Sequence, residues 1–547
     1  MATQSATEES VGCRCFANDA PEMSGIIKHK YSDFHVNEID KNGNVVHLTT
    51  LDEIPEAPYP AGYEEWLSSR EFSFSFMPES EEQIARINYE QTSFSVFQDS
   101  TGKVTVERLY KKKARPFITK FVLYKENTNQ QSAISRVAQK VGKQSKLIGF
   151  AGSKDKRGIT TQICSIRDVP PHRLFEAVGN LGDNIKVGHI RYAMNPVSLG
   201  DLSGNRFSIV LRDIKLTDKE ENVYKGLKTR LEKLDKSGFI NYFGMQRFGT
   251  GTIPTHKIGE LVLKKQWKKI IELLLEPQKG EISQLYEAKV HFKKLHDPKQ
   301  ALKMTPHSAQ TEISLFKAMS LLPADKMLSN PHELFSRIDR RQRMMYVHAY
   351  QSYLWNHMVS QRIEKHGNQV VVGDYVLDNV NLTKSEKTAI LVTNANINNY
   401  SIFDVVIPLP SGSQQMPTEL IELMSQDGVT PDMFKSLSSE YGAGGDWRYI
   451  MSKAKDLDWE LIRHDDFDAP LIDSDLNIIE GTTNRINHVE NGKYASLRIS
   501  FSLGSGQYAT MCLRELLKRS TEWFKDSEMS QRNEPQTHWW QSVCNIC

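Results

Sequence analysis

Residues 149–162, GFAGSKDKRGITTQ, place one carboxylate, Asp155, between Lys154 and the Lys156–Arg157 pair, behind a Gly-rich turn. A carboxyl group with a reference pKa of about 3.9 is ionised at neutral pH, and cationic neighbours lower that value further. Such a group is ready to attack an electrophilic carbon or to accept a proton without metal or cofactor. The cations around it suit phosphates. A solvated surface loop would carry the same residue types, so the residues alone leave both readings open. Other chemistries find little support. The chain has no GxxxxGK[ST] phosphate loop, no HExxH and no GxSxG elbow. GAGGDW at 442–447 follows no obvious strand and reads as a turn. The pairs Cys13/Cys15 and Cys544/Cys547 have no nearby mates, and the acidic cluster at 464–468 lacks calcium-loop spacing, so no metal site is expected.

The charge distribution points the same way as the signature segment. The 547 residues carry a net +2, yet residues 101–157 hold fifteen Lys or Arg against three acids, Glu107, Glu126 and Asp155. A strip this biased is expected to face a nucleic acid, with solvated helix faces as the plainer alternative. Lys111, Lys112 and Lys113 form its densest run. A hydrophobic share of 39% and a charged share of 25% exclude collagen-like, coiled-coil and wholly disordered chains. No apolar run approaches the ~18–20 residues of a membrane span, and MATQSATEESVG lacks the basic start and apolar run of a signal peptide. Six cysteines in so long a chain make no disulfide scaffold, so a soluble, intracellular protein is expected.

The elements that must position Asp155 follow from periodicity. Residues 1–23 read as a flexible polar tail and residues 52–105 as an irregular insertion. Alternating apolar residues over 25–50, with Asn-Gly at 42–43, predict strands and a hairpin. Ala133, Ile134, Val137, Ala138 and Val141 predict a helix over 131–141, with Thr128 as its cap. Strands are expected over 159–166 and 207–211, and helices over 220–236, 257–275 and 342–362. Residues 456–480 read as acidic loop, followed by a strand over 496–501 and a helix over 511–518. Strand-rich ends flanking a helical middle suggest one domain interrupted by another.

AGSKDKRGITTQ resembles the signature of the TruD family of pseudouridine synthases, and further motifs follow in family order. They are SGIIKHKYSDFHVNEI (24–39), FVLYKENTNQQSAISRVAQKVG (121–142), GNRFSIVLR (204–212), NYFGMQRFGT (241–250), MMYVHAYQSYLWN (344–356) and FSLGSGQYATMCLREL (501–516). Length and the extra segment at 52–105 resemble the eukaryotic branch, the homologues of pseudouridine synthase seven. Ser153 and Gly158 depart from the usual signature without removing a functional group.

The resemblance implies an α/β (α+β) fold: a catalytic domain with a mixed, largely antiparallel sheet, interrupted by an inserted TRUD domain. Its parts fall at 24–248, 249–480 for the insertion, and 481–525, with a tail at 526–547. It implies that Asp155 is the nucleophile, that Lys28 stands beside that carboxylate, and that Asn205 and Phe207 contact Asp155 and stack on the target base. The segment 241–249 is expected to close the cleft at the inserted domain. Lys154, Lys156, Arg157, Lys111, Lys112, Lys113 and Arg247 are expected on RNA. No cofactor and no metal are implied. Family substrates include transfer RNA at position thirteen, small nuclear RNA and messenger RNA; a monomer away from membranes, in nucleus or cytoplasm, is expected. An RNA-binding module without turnover is the competing class, and the intact Asp155, Lys28, Asn205 and Phe207 argue against it.

Overall fold

A computed structural model describes residues 6–51, 61–69, 71–90, 94–108, 118–216, 222–249, 251–278, 280–377, 389–412 and 416–521. These form two compact units. The first holds residues 27–213 and 456–506, and the second residues up to 26, 214–455 and those from 507.

The first unit is built on a mixed sheet. Eight of its nine strands are β1 (Phe34–Ile39), β2 (Ile118–Glu126), β3 (Ile148–Phe150), β4 (Ile159–Arg167), β5 (Ile185–Ala193), β6 (Gly204–Leu216), β7 (Lys455–His464) and β8 (Tyr494–Gly504). Seven run in the order β7-β8-β6-β1-β4-β2-β5, and β3 joins β4. β1 and β4 pair in parallel, whereas β6 with β1 and β8, β4 with β2 and β3, and β2 with β5 are antiparallel. This is the mixed, mostly antiparallel sheet expected. Register aligns Phe207 with Val36 and Phe501, Asn205 with Glu38, Val36 with Thr160, and Thr160 with Lys125. Because side chains alternate along a strand, all of these lie on one sheet face. Part of that face is covered by the helices Gln130–Lys140 and Pro171–Val178, which bury Phe121, Leu123, Ile134, Val137, Cys164 and Leu174 in one core. The rest of the same face carries Glu38, Thr160 and Lys125 beside Val36, Phe207 and Phe501, all buried.

Several local expectations are corrected. The helix from Gln130 is capped by Asn129, whose side chain accepts from the Gln131 and Ser132 amides, while Thr128 donates back to the Glu126 carbonyl. Residues 61–108 are no irregular excursion. Strands Ser73–Phe76, Val104–Arg108 and Phe94–Gln98 form a small sheet with helices Tyr63–Ser68 and Glu81–Glu90, around Trp66, Ile87 and Val106. The acidic stretch after 455 supplies strand β7 and the helix Asp475–Glu480. Its charges alternate with Leu457, Trp459 and Leu461, a pattern that acidity alone conceals.

In the second unit a long helix, Arg340–His366, packs against Thr255–Leu263. A Cβ on Gly259 would stand 2.0 Å from the Tyr346 carbonyl oxygen, so the two backbones touch only through glycine. The single helix expected over 257–275 is two, Thr255–Leu263 and Trp267–Leu275, broken where Lys265 takes φ 54°. Residues 6–23 are packed, not loose. Val11 is fully buried and the Glu8 carboxylate accepts from Arg514 Nε at 2.7 Å, out of solvent. Residues 526–547 lie outside the described residues.

Candidate active site

The signature loop between β3 and β4 carries Asp155, and three lysines and an arginine hold the loop in place. Lys154 turns inward: its Nζ donates to Glu38 Oε2 at 2.7 Å, with side chains only 3% and 1% exposed. Glu38 also accepts from the Ile163 amide, so this buried pair ties the loop to β1 and β4 together. Lys154 is therefore not among the solvent-facing phosphate contacts expected. Gln162 Nε2 donates to the Gly152 carbonyl, closing the turn. At Gly158 a Cβ would meet the Phe34 carbonyl oxygen at 2.7 Å, so this departure from the signature lets the loop lie on β1.

Asp155 itself is about one-third exposed, and Lys28 Nζ donates to its Oδ2 at 2.9 Å. Burial pushes the Asp155 carboxyl up. The charge and hydrogen bond of Lys28, then the charges of Lys125 and Lys154, outweigh that effect and hold it below the usual carboxylate range. Lys28 stands in the left-handed region at φ 52°, a conformation costing about 1–2 kcal/mol for a residue with a Cβ. The bend is held from two sides. Arg157 donates to the Lys28 and His29 carbonyls. Arg212 forks onto the buried Asp33 carboxylate at 2.9 and 2.7 Å. Arg157 thus serves backbone carbonyls, and Lys156 is partly exposed beside it.

Aromatic rings extend the site along the sheet. Lys28 Nζ lies 3.9 Å from the Phe34 ring centroid, Phe34 meets Phe207 edge-on at 6.1 Å, and Phe207 stacks on Phe501 at 5.6 Å. Asp155, Lys28 and Phe207 are brought together through Phe34. Asn205 shares the face of Phe207, yet no hydrogen bond joins it to Asp155. Its Oδ1 is buried without a hydrogen-bond partner, as are Thr160 Oγ1 and Gln162 Oε1 on the same face. Buried polar atoms are seldom left unpaired, so this end of the sheet is short of polar partners.

The structure places the other expected residues less centrally. Residues 241–249 lie in the second unit. There Arg448 donates to Asn241 and covers the Phe243 ring at 4.1 Å, and Arg247 Nε donates to Ser352. Lys111, Lys112 and Lys113 lie outside the described residues, as do Cys544 and Cys547. Among the described residues no group of three His, Cys, Asp or Glu is placed to hold a metal ion. None of their helices is long and apolar enough to cross a membrane. The sequence reading missed Lys125, Phe34 and Glu38. A signal for Lys125 exists: it continues the inward row Phe121, Leu123.

Lys28→Met should lower turnover more than RNA affinity, because it unpairs the Asp155 carboxylate; an unchanged kcat with weaker binding would make Lys28 a phosphate contact. Phe207 is 8% exposed and packed on two rings. Phe207→Ala should therefore cost about 3–5 kcal/mol of stability, read by denaturant unfolding, and a loss under about 1 kcal/mol would remove it from the core.

A Methanosarcina mazei crystal structure assigned as tRNA pseudouridine synthase D (TruD) superposes with a TM-score of 0.56 at 22% identity, covering 93% of this chain and 97% of that one. The architecture is thus that of a TruD-type pseudouridine synthase. The family model described as tRNA pseudouridine synthase D (TruD) matches residues 75–516. Pseudouridylate synthase 7 homolog of Homo sapiens is 33% identical over 94% of this chain and 81% of its own length. Multisubstrate pseudouridine synthase 7 of Schizosaccharomyces pombe is 28% identical over 94% of this chain and 91% of its own. The chain belongs to the TruD family of pseudouridine synthases, isomerases that act on RNA.

Proposed function

We propose that this enzyme isomerises transfer-RNA uridines of the position-thirteen type, with Asp155 as nucleophile, and that its range extends to small nuclear and messenger RNA. The observation that carries the reading is an accessible carboxylate kept ionised by a buried lysine 2.9 Å away. The Asp155 oxygen bonds to C1′ as the bond from C1′ to N1 breaks, and that electron pair stays on the uracil. The uracil turns, C5 bonds to C1′ and the carboxylate leaves. The proton then lost from C5 is matched by one gained at N1, so nothing is exchanged with a second substrate. Abstraction of the C2′ proton to give a glycal would use the same carboxylate, and both routes need it ionised. Extruding the uridine costs a few kcal/mol, of which stacking on an aromatic returns ~1–3. Phe207, expected as that platform, is only 8% exposed with one face stacked on Phe501, so it supports the site from the core and offers no open face for the base. The name of the Schizosaccharomyces pombe relative, multisubstrate, supports the wider range.

The test is pseudouridine mapping in total RNA with and without this protein, followed by the purified enzyme on transfer-RNA transcripts. Loss of pseudouridine at a D-arm uridine, restored by the enzyme, is expected. Unchanged maps would overturn the substrate assignment, and free uracil would reveal hydrolysis instead.

A further inference from the structure

Strand β2 ends its inward row Phe121, Leu123 with Lys125, a lysine with no solvent exposure. Its Nζ donates to the main-chain oxygen of Asp155 at 2.5 Å, the side chain's one hydrogen bond among the described residues. Burying an ammonium is costly unless it is paired. Glu38 is already committed to Lys154, which leaves Asp155 as the anion that faces Lys125. One residue is thus held twice: Lys28 takes its carboxylate, and Lys125 takes its backbone from behind.

We propose that Lys125 is a positioning residue for the isomerisation, fixing the Asp155 main chain so that the reacting oxygen keeps its place while bonds to C1′ form and break. The proposal rests on the reading of Asp155 as the reacting group. A loop whose carboxylate must bond to a carbon and then leave it cannot be held by that carboxylate alone, since its charge is lost in the covalent step. The Lys125 contact is to a carbonyl, which persists throughout. A cation makes this hydrogen bond roughly twice as strong as a neutral amine would, so the grip depends on protonation. The groups facing Lys125 are Asp155, which favours the ammonium, and Lys154 and Lys28, which oppose it. Burial is the largest influence, and together they bring Lys125 down to about 7. In the free enzyme kcat/KM should therefore fall as pH rises through neutrality and the ammonium is lost.

The experiment compares wild type, Lys125→Met and Lys125→Arg on a transfer-RNA transcript, measuring kcat, KM and the pH profile of kcat/KM beside thermal unfolding. Lys125→Met is expected to lower kcat by about 10²-fold with little change in KM. Thermal unfolding is needed to separate this from a folding defect, because the substitution also leaves the Asp155 carbonyl without its donor. Lys125→Arg should retain part of the activity and lose the decline through neutral pH, since a guanidinium stays charged. Overturning results are a Lys125→Met kcat close to wild type, a loss explained entirely by unfolded protein, or a wild-type pH profile in Lys125→Arg. Should Lys125→Met fail to fold, the Lys125→Arg profile decides. Asp155→Asn is assayed in parallel. Normal turnover there would remove the underlying reading of Asp155, whatever the Lys125 variants do.

Discussion

Asp155→Asn is expected to abolish isomerisation, lowering turnover at least ~10³-fold, while RNA affinity should change little because phosphate contacts supply most of the binding. The amide keeps the shape of the carboxylate but is neither a strong nucleophile nor a base. Stability responds as well, with a definite sign. The folded Asp155 carboxyl is held below its ordinary range, chiefly because the Lys28 charge and hydrogen bond, aided by Lys125 and Lys154, overcome the upward push of burial. A group whose pKa is depressed by folding contributes stability above its unfolded value, and that contribution disappears as pH falls through the folded value. Urea midpoints of the wild type should therefore decline on acidification through and below the usual carboxylate range, and Asp155→Asn should flatten part of that decline. Because the side chain is about one-third exposed, solvent screens the effect. Turnover near wild type in Asp155→Asn would take Asp155 out of the chemistry. A parallel acid decline in both proteins would show that the Lys28 pair contributes no stability.

How much of this was legible beforehand differs by residue, for physical reasons. Asp155 stood out because a lone acid among cations has few structural purposes, and the family resemblance pointed to Lys28, which the structure holds 2.9 Å from it. Strands and helices with clean periodicity were found within a few residues, as for Gln130–Lys140 and β4. Several failures share a cause: charge was read as exposure. The alternation in β7 was hidden by its acids. Lys125 and Lys154 were counted in a solvent-facing basic strip, although both are buried. Net charge per segment cannot tell a phosphate-facing lysine from one paired inside, because that depends on which strand lies opposite. Glu38, 116 residues away in the chain, is Lys154's partner. Only the pairing of β6 with β1, and of β1 with β4, brings such residues onto one face. The small fold of residues 61–108 was missed for another reason. Its elements are short, and its core is aromatic, so no long apolar period announces it.

A large stability effect should also come from that same Lys154–Glu38 pair. Neither side chain is more than 3% exposed, so removing one partner leaves a full charge in a low-dielectric interior. Breaking a buried pair in this way typically costs about 3–5 kcal/mol, whereas replacing both partners by apolar residues of similar volume is often neutral or stabilising. Glu38→Gln and Lys154→Met should each unfold at markedly lower denaturant, and the doubly apolar variant Glu38→Leu with Lys154→Met should recover much of the loss. Recovery will be incomplete, since Glu38 also accepts the Ile163 amide. The pair is next to Asp155, so turnover per folded molecule should fall in the single variants as the loop loses its tie to β1. RNA binding supplies the discriminating measurement. A lysine that contacts phosphate contributes about one unit to the slope of log affinity against log salt. Lys154→Met should leave that slope unchanged among folded molecules, because its ammonium never reaches the solvent. A slope reduced by a full unit, with stability intact, would mean that Lys154 faces the RNA backbone and that the inward pair does not hold the loop.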